Sequence, residues 1–305
     1  MPRNPSKVNS TFRAVYGRLI VGLLHCMAWL PLPMLHALGV LAGWLLWLVP
    51  NEQRRIAAVN LKLCFPELSS STRRRLLRRN LAETAKGILE LGPLWLWEGE
   101  RILTLIHAVD CGETPRAAMD RGVGVIFITP HLGAWEVAGL YVSKHYPLTI
   151  LYRPSRVDID DVIRAGRERL GGQAVPTDTG GVRALLQALR EGRAVGLLPD
   201  QGPGREAGLF APFFGRTANT MTLVSRLAMK SGAPVFLTYA ERLSQGRGYH
   251  LHFEPLPAVL NEGPLEASMA ALNAAVEQAV RRLPEQYLWV YKRFKSRPSG
   301  EPRFY

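Results

Sequence analysis

The residues best suited to chemistry in this chain fall in two short stretches. PHLGAWE holds His131 and Glu136, five positions apart, directly after the apolar run VGVIFIT. LLPDQGPG holds Asp200, again at the end of an apolar run. An imidazole beside a carboxylate is suited to taking a proton from a hydroxyl, because the carboxylate fixes the tautomer and stabilises the imidazolium. Residues five apart are about 140° out of register on a helix. His131 is therefore expected in the turn before a helix and Glu136 in its first turns, with the carboxylate reaching back to the imidazole. Gly133 lets the chain turn tightly between them. Spacing alone leaves a second reading, a first-turn glutamate beside an incidental histidine. No G-x-S-x-G motif is present. A base without a protein nucleophile suits an external hydroxyl, that of water or of an acceptor alcohol.

Other polar residues end neighbouring apolar runs. TILYRPSR supplies Tyr152, Arg153 and Arg156, and RAGRERLGG supplies Arg164, Arg167 and Arg169. Guanidinium forks match phosphate oxygens, and the same arginines also fit a solvated helix face. Asp200, before the glycine-rich stretch that runs to Gly204, fits either a cleft or a simple turn. The remaining histidines are His25, His36, His107, His145, His250 and His252, and none pairs with a carboxylate at HExxH spacing. HLGAWE offers two ligands at most, so no metal and no cofactor is expected. The nucleotide fingerprints GxGxxG and GxxxxGK[ST] are missing.

The elements that must hold these residues read as α/β. VGVIFIT (123–129), LTILY (148–152), AVGLLP (194–199) and PVFLTY (234–239) are short apolar runs with branched residues. The first, third and fourth have the look of buried central strands. YHLHFEPL (249–256) alternates as a later strand. Helical stretches lie near 133–144, 158–170, 180–191 and 219–231, and Pro264–Leu283 reads as a late amphipathic helix. The alternation predicts a mixed, mostly parallel sheet flanked by helices. FKSRPSGEPRFY reads as an irregular tail, and no internal repeat interrupts the chain.

Upstream, Leu19 to Val49 contains no Asp, Glu, Lys or Arg. A spanning helix needs ~20 apolar residues, but Pro31 and Pro33 divide this run into Leu19–Leu30 and Met34–Leu48. A membrane anchor over 1–50, spanning or re-entrant, and an α/β domain over 51–305 are expected. Trp44 and Trp47 suit the headgroup level. Arg3, Lys7, Arg13 and Arg18 flank one end and Arg54 and Arg55 the other, so flanking charge sets no orientation. Ser70, Ser71 or Thr72 can cap a following helix whose first turns crowd Arg73, Arg74, Arg75, Arg78 and Arg79. That helix is either a solvated charged face or a surface for anionic headgroups. The net charge of +13 over 305 residues calls for an anionic partner. Cys26, Cys64 and Cys111 have no ligand spacing and suggest a reducing compartment.

Taken together, the apolar N-terminus, HLGAWE as an H-x4-[DE] motif, YRP, the R-x-R of GRERLGG, PDQGPG and PEQYLWVYKRFKSRP (284–298) resemble the bacterial lipid A late acyltransferases. The resemblance runs in order along essentially the whole chain, with Ala134 where that family often has Asn. It implies a glycerolipid-acyltransferase-like α/β fold at the cytoplasmic side of the bacterial inner membrane. It implies acyl carrier protein as acyl donor and a hydroxyl of a phosphorylated glycolipid as acceptor. His131 would be the general base and Glu136 its orienting partner, with Arg169 (favoured over Arg167) and Asp200 as supporting residues. Two rivals stay open: the same chemistry on another membrane lipid or glycolipid, and a non-catalytic membrane-attached binding protein. Nucleic acid is not an expected partner, because the interleaved aromatics of a single-strand groove are missing.

Overall fold

The protein was analysed as a computed structural model that describes residues 10–111, 115–155, 157–203 and 208–305. Arg3, Lys7, Arg156 and Gly204 lie outside the described residues. The chain opens with six helices: α1 (Ser10–Ala28), α2 (Leu32–Leu48), α3 (Glu52–Cys64), α4 (Ser70–Leu89), α5 (Leu91–Leu96) and α6 (Gly99–Leu103). An alternating stretch follows: β1 (Ile106–Cys111), α7 (Pro115–Asp120), β2 (Val125–Ile128), α8 (Trp135–His145), β3 (Leu148–Tyr152), α9 (Asp160–Glu168), β4 (Gln173–Pro176), α10 (Thr179–Arg190) and β5 (Ala194–Leu197). A ribbon of β6 (Gly208–Phe213) and β7 (Arg216–Met221) precedes α11 (Leu223–Ser231), β8 (Val235–Arg242), β9 (Tyr249–Pro255), α12 (Val259–Glu262) and α13 (Leu265–Arg282).

Seven strands form one sheet in the order β1-β9-β8-β2-β5-β3-β4. Every neighbouring pair is parallel except β8 with β9. The sheet is thus mixed and mostly parallel, and the three runs with the most continuous apolar character, β8, β2 and β5, stand side by side at its centre. Such strands are covered on both faces. Ile126, Ile128, Val195 and Leu237 pack toward α10, α11 and α13. Phe127, Phe236, Leu148 and Ile150 pack on the other face, toward α8.

Two local expectations change. The basic helix is capped by Ser69, whose Oγ accepts from the Thr72 N–H at 3.2 Å, rather than by a residue from 70 to 72. The helix expected over 219–231 begins only at Leu223, because 216–221 is the strand β7. Buried Arg293 holds this segment extended, donating to the Asn219 carbonyl at 2.6 Å and the Thr220 Oγ1 at 3.0 Å. The tail is irregular, but Phe294 is buried and the Arg297 Nη1 donates to the Thr217 carbonyl at 2.7 Å.

The apolar N-terminus folds as α1 and α2, broken at Trp29–Pro31. No single helix among the described residues is long and apolar enough to cross a membrane. Leu32–Leu48 and Glu52–Cys64 reach that standard only as a pair bent by 85°. α1 packs on α5 and α2 on α4. Gly39 and Gly43 make the second contact possible: a Cβ on Gly43 would lie 2.4 Å from the Ala82 Cα. The outward face of the two helices carries exposed Leu19, Leu23, Trp29, Leu41, Leu45 and Leu48. Arg78 stacks over Trp44 and Arg54 over Trp47.

Candidate active site

β2 ends at Ile128, and the chain crosses Thr129–Ala134 before α8 begins at Trp135. His131 lies in that turn. Its Nδ1 is 2.8 Å from Asp200 Oδ1, and its backbone N–H donates to Asp200 Oδ2 at 3.0 Å. Asp200 follows β5, the strand beside β2, so parallel pairing of Ile128 with Leu197 brings the two loops together. Burial alone would raise the Asp200 carboxyl, but His131 and its hydrogen bonds outweigh burial and hold it below the usual carboxylate range. An ionised Asp200 only accepts, so the proton must sit on Nδ1 and the lone pair on Nε2. The Gln201 side-chain amide nitrogen stands 3.1 Å from Nε2 and fits the same tautomer. The Trp135 ring packs against the imidazole with centroids 5.1 Å apart.

Glu136 lies on the first turn of α8, buried, but its carboxylate does not hydrogen-bond to His131. It forms a two-pronged pair with Arg167, from Nε at 2.9 Å and Nη2 at 2.5 Å. Burial opposes ionisation there, and the Arg167 charge overcomes it, so the carboxyl is held below its ordinary value with His131 adding a smaller push. The carboxylate hydrogen-bonded to the imidazole is therefore Asp200, not Glu136. Glu136 meets Arg167 of α9, while the Nδ1 of His131 meets Asp200 beyond the end of β5.

The two arginines of R-x-R have separate duties. Arg167 meets Glu136 and lies over the Tyr152 ring at 5.5 Å. Arg169 instead donates to the carbonyls of Trp97 and Leu94, tying the end of α9 to α5. Tyr152 is buried and donates to Asp160. Arg153 is exposed and stands apart from the pair, in a groove shared with Gly202, Lys292, Lys295 and Arg303. Arg164 pairs with Glu168 on the exposed face of α9.

The loop that carries His131 is clasped from several sides. Gly133 has φ +61°, and a Cβ there would sit 2.0 Å from the Ala240 carbonyl oxygen, so the turn needs glycine. Its N–H donates to the Gln286 carbonyl at 3.1 Å, and the Leu288 N–H donates to the His131 carbonyl at 3.0 Å. PEQYLWVY thus runs along the loop like an added strand. Gln286 also exchanges two bonds with the Arg242 backbone, at 2.8 and 2.9 Å. Buried Asn80 donates to the carbonyls of Glu285 and Tyr287, and buried Asn60 to those of Trp289 and Tyr291. Arg242 reaches the Gly133 carbonyl at 3.3 Å while paired to Glu90, which His36 contacts at 2.5 Å. Sequence reading missed Gln286, Asn60, Asn80 and this buried ionic group. Its nearest signal was charged residues inside otherwise apolar surroundings.

Two recesses lie near the His131–Asp200 pair. One is a narrow apolar cleft that includes Trp135 and is lined by Phe127, Leu140, Leu148, Ile150 and Leu197, with Glu136 and Arg167 at its polar part. The other is the basic groove containing Arg153, Gly202, Lys292, Lys295 and Arg303. An apolar cleft and a cationic groove near one imidazole suit a reactant that is part hydrocarbon and part anion.

Comparison with known proteins gives the same direction. The family model described as bacterial lipid A biosynthesis acyltransferase matches residues 6–296. The lipid A biosynthesis palmitoleoyltransferase of Escherichia coli (strain K12) is 31% identical over 292 residues, covering 93% of this chain and 92% of that protein. The lipid A biosynthesis lauroyltransferase of the same strain is 29% identical over 286 residues, covering 93% of each. Its lipid A biosynthesis myristoyltransferase is 28% identical over 278 residues, covering 88% of this chain and 82% of that protein.

Proposed function

The chain belongs to the bacterial lipid A biosynthesis acyltransferases, and on that premise we propose that it moves a fatty acyl chain from acyl carrier protein to a hydroxyl of a lipid A precursor. The reaction takes place at the cytoplasmic side of the bacterial inner membrane. The observation that carries this reading is the His131–Asp200 pair, which leaves the Nε2 lone pair available, with an apolar cleft and a basic groove nearby.

In this mechanism Nε2 takes the proton of the acceptor hydroxyl while Asp200 stabilises the imidazolium that forms. The acceptor oxygen bonds to the thioester carbonyl carbon, and the carbon–sulfur bond breaks. The imidazolium returns its proton to the departing thiolate. No acyl-enzyme forms, in keeping with the absence, among the described residues, of a serine, threonine or cysteine hydrogen-bonded to His131. The acyl chain lies in the apolar cleft, so the Glu136–Arg167 pair borders the reacting carbonyl and acts on His131 through its field rather than through a hydrogen bond. The basic groove receives the anionic part of a substrate, and its charges suit both an acidic carrier protein and a phosphorylated glycolipid. The exposed apolar face of α1 and α2, with arginines and tryptophans beside it, seats the enzyme on the membrane.

The test is transfer from acyl carrier protein to a detergent-dispersed acceptor, read by mass spectrometry. His131→Ala should abolish product, and Glu136→Gln should lower it strongly while the protein stays folded. Near-normal product from His131→Ala removes the mechanism. A deletion strain whose lipid A mass is unchanged assigns the activity to a different acceptor.

A further inference from the structure

β9 carries a second group of chemically able residues that acyl transfer does not use. Side chains alternate along a strand. Tyr249, Leu251 and Phe253 are buried, and His250 and His252 turn to the opposite face. On one side β1 places Asp110 opposite His252. On the other, β8 places Glu241 opposite His250 and Tyr239 opposite His252. Three adjacent strands therefore bring two imidazoles and two carboxylates to one patch of the sheet.

The atoms converge closely. Asp110 Oδ2 lies 2.9 Å from His250 Nε2 and 3.1 Å from His252 Nδ1, and the three lie within 4.8 Å of one another. Donors around a tetrahedral zinc ion, each ~2.0–2.1 Å from the metal, stand about 3.3 Å apart. His252 offers its other nitrogen, Nε2, to Glu241 Oε2 at 3.4 Å. A ring nitrogen held by a carboxylate is the usual outer support of a metal-bound histidine, and Nδ1 faces Asp110, where a metal ion would replace the proton the two groups otherwise share. Tyr239 stacks on the same ring, at 4.7 Å and 20°, and fixes its plane. The Nε2 of His250 is buried and meets Asp110 at poor hydrogen-bond alignment. Donors converging on one point need a proton or a cation among them.

We propose that Asp110, His250 and His252 bind a divalent transition-metal ion of the zinc type, with Glu241 as the outer carboxylate and the half-open fourth position left to water. The site is separate from His131. It joins the edge strand β1 to β9, and its outer carboxylate sits between Ala240 and Arg242, the two β8 residues that hold the Gly133 turn.

The experiment uses the full chain in detergent, without a histidine tag, stripped with chelator and titrated with Zn2+ by calorimetry and with Co2+ by visible absorption. The expected result is one ion per chain, the intense absorption of tetrahedral Co2+, and a melting temperature raised by Zn2+. His250→Ala and His252→Ala should each weaken binding at least 100-fold, and Glu241→Gln about 10–100-fold. Asp110 is the most exposed ligand, so Asp110→Asn reports on the site even if a histidine variant folds poorly. No binding by the parent chain at tens of micromolar Zn2+ overturns the proposal, as does an unchanged stoichiometry in His250→Ala/His252→Ala. In either case the two imidazoles pair with Asp110 through protons.

Discussion

Asp200 accepts from both the ring and the backbone of His131, which makes it the most informative side chain to change. Asp200→Asn keeps the volume but offers an amide that no longer dictates the tautomer. Its kcat is expected to fall about 10⁴-fold, with KM and melting temperature nearly unchanged. Single-turnover transfer measures this, and a loss under tenfold would remove Asp200 as the orienting group. The HLGAWE spacing made His131 and the Gly133 turn legible but named the wrong carboxylate as hydrogen-bond partner. Distance along the chain is the reason. Glu136 is five residues from His131, whereas Asp200 is 69 away and reaches it only because β5 pairs with β2. The division of labour between Arg167 and Arg169 was equally hidden, since it depends on how α9 lies across α5 and α8.

At the scale of elements, the long apolar runs were readable because central parallel strands must be apolar on both faces. The β6–β7 ribbon was not, because RTANTM carries no apolar pattern and is extended through the hydrogen bonds Arg293 donates. PEQYLWVY carried the resemblance without disclosing its task, which is to supply main-chain partners to the His131 turn. Gln286→Ala removes both bonds to Arg242, and each side-chain loss that leaves a buried group unsatisfied costs about 1–3 kcal/mol. The expected outcome is a lower melting temperature, together with faster amide exchange at Gly133, Arg242 and Leu288 than elsewhere in the sheet. Uniform destabilisation by hydrogen exchange would deny the segment this local role.

For the whole molecule, the buried group of His36, Glu90 and Arg242 links the apolar helices to the sheet. Burial opposes the Glu90 charge, but Arg242 and His36 prevail and lower its carboxyl from 4.5 to about 2. A depressed acid stabilises the fold fully above its unfolded value and loses that contribution as pH falls through the folded one. The protein should therefore lose stability progressively from about pH 4.5 toward pH 2. Denaturant titrations across that range should show a flatter profile for Glu90→Gln, which is itself less stable because Arg242 is left buried and unpaired. Membrane seating is tested on the other side of the same helices. Leu41→Glu/Leu45→Glu, at positions 58% and 56% exposed, should leave folding intact and abolish flotation with anionic vesicles; undiminished flotation would place the contact elsewhere.

The clasp around His131 also sets an order of events during synthesis. The turn at 129–134 emerges early, yet its fixed shape depends on a hydrogen bond to the Gln286 carbonyl and one from the Leu288 N–H, in a segment held by Asn80 and Asn60. A nascent chain can complete helices and strands while the His131 turn remains unclasped. On the proposed mechanism, the shape of the site is then completed in one late step, when the last strand-like segment closes on the turn.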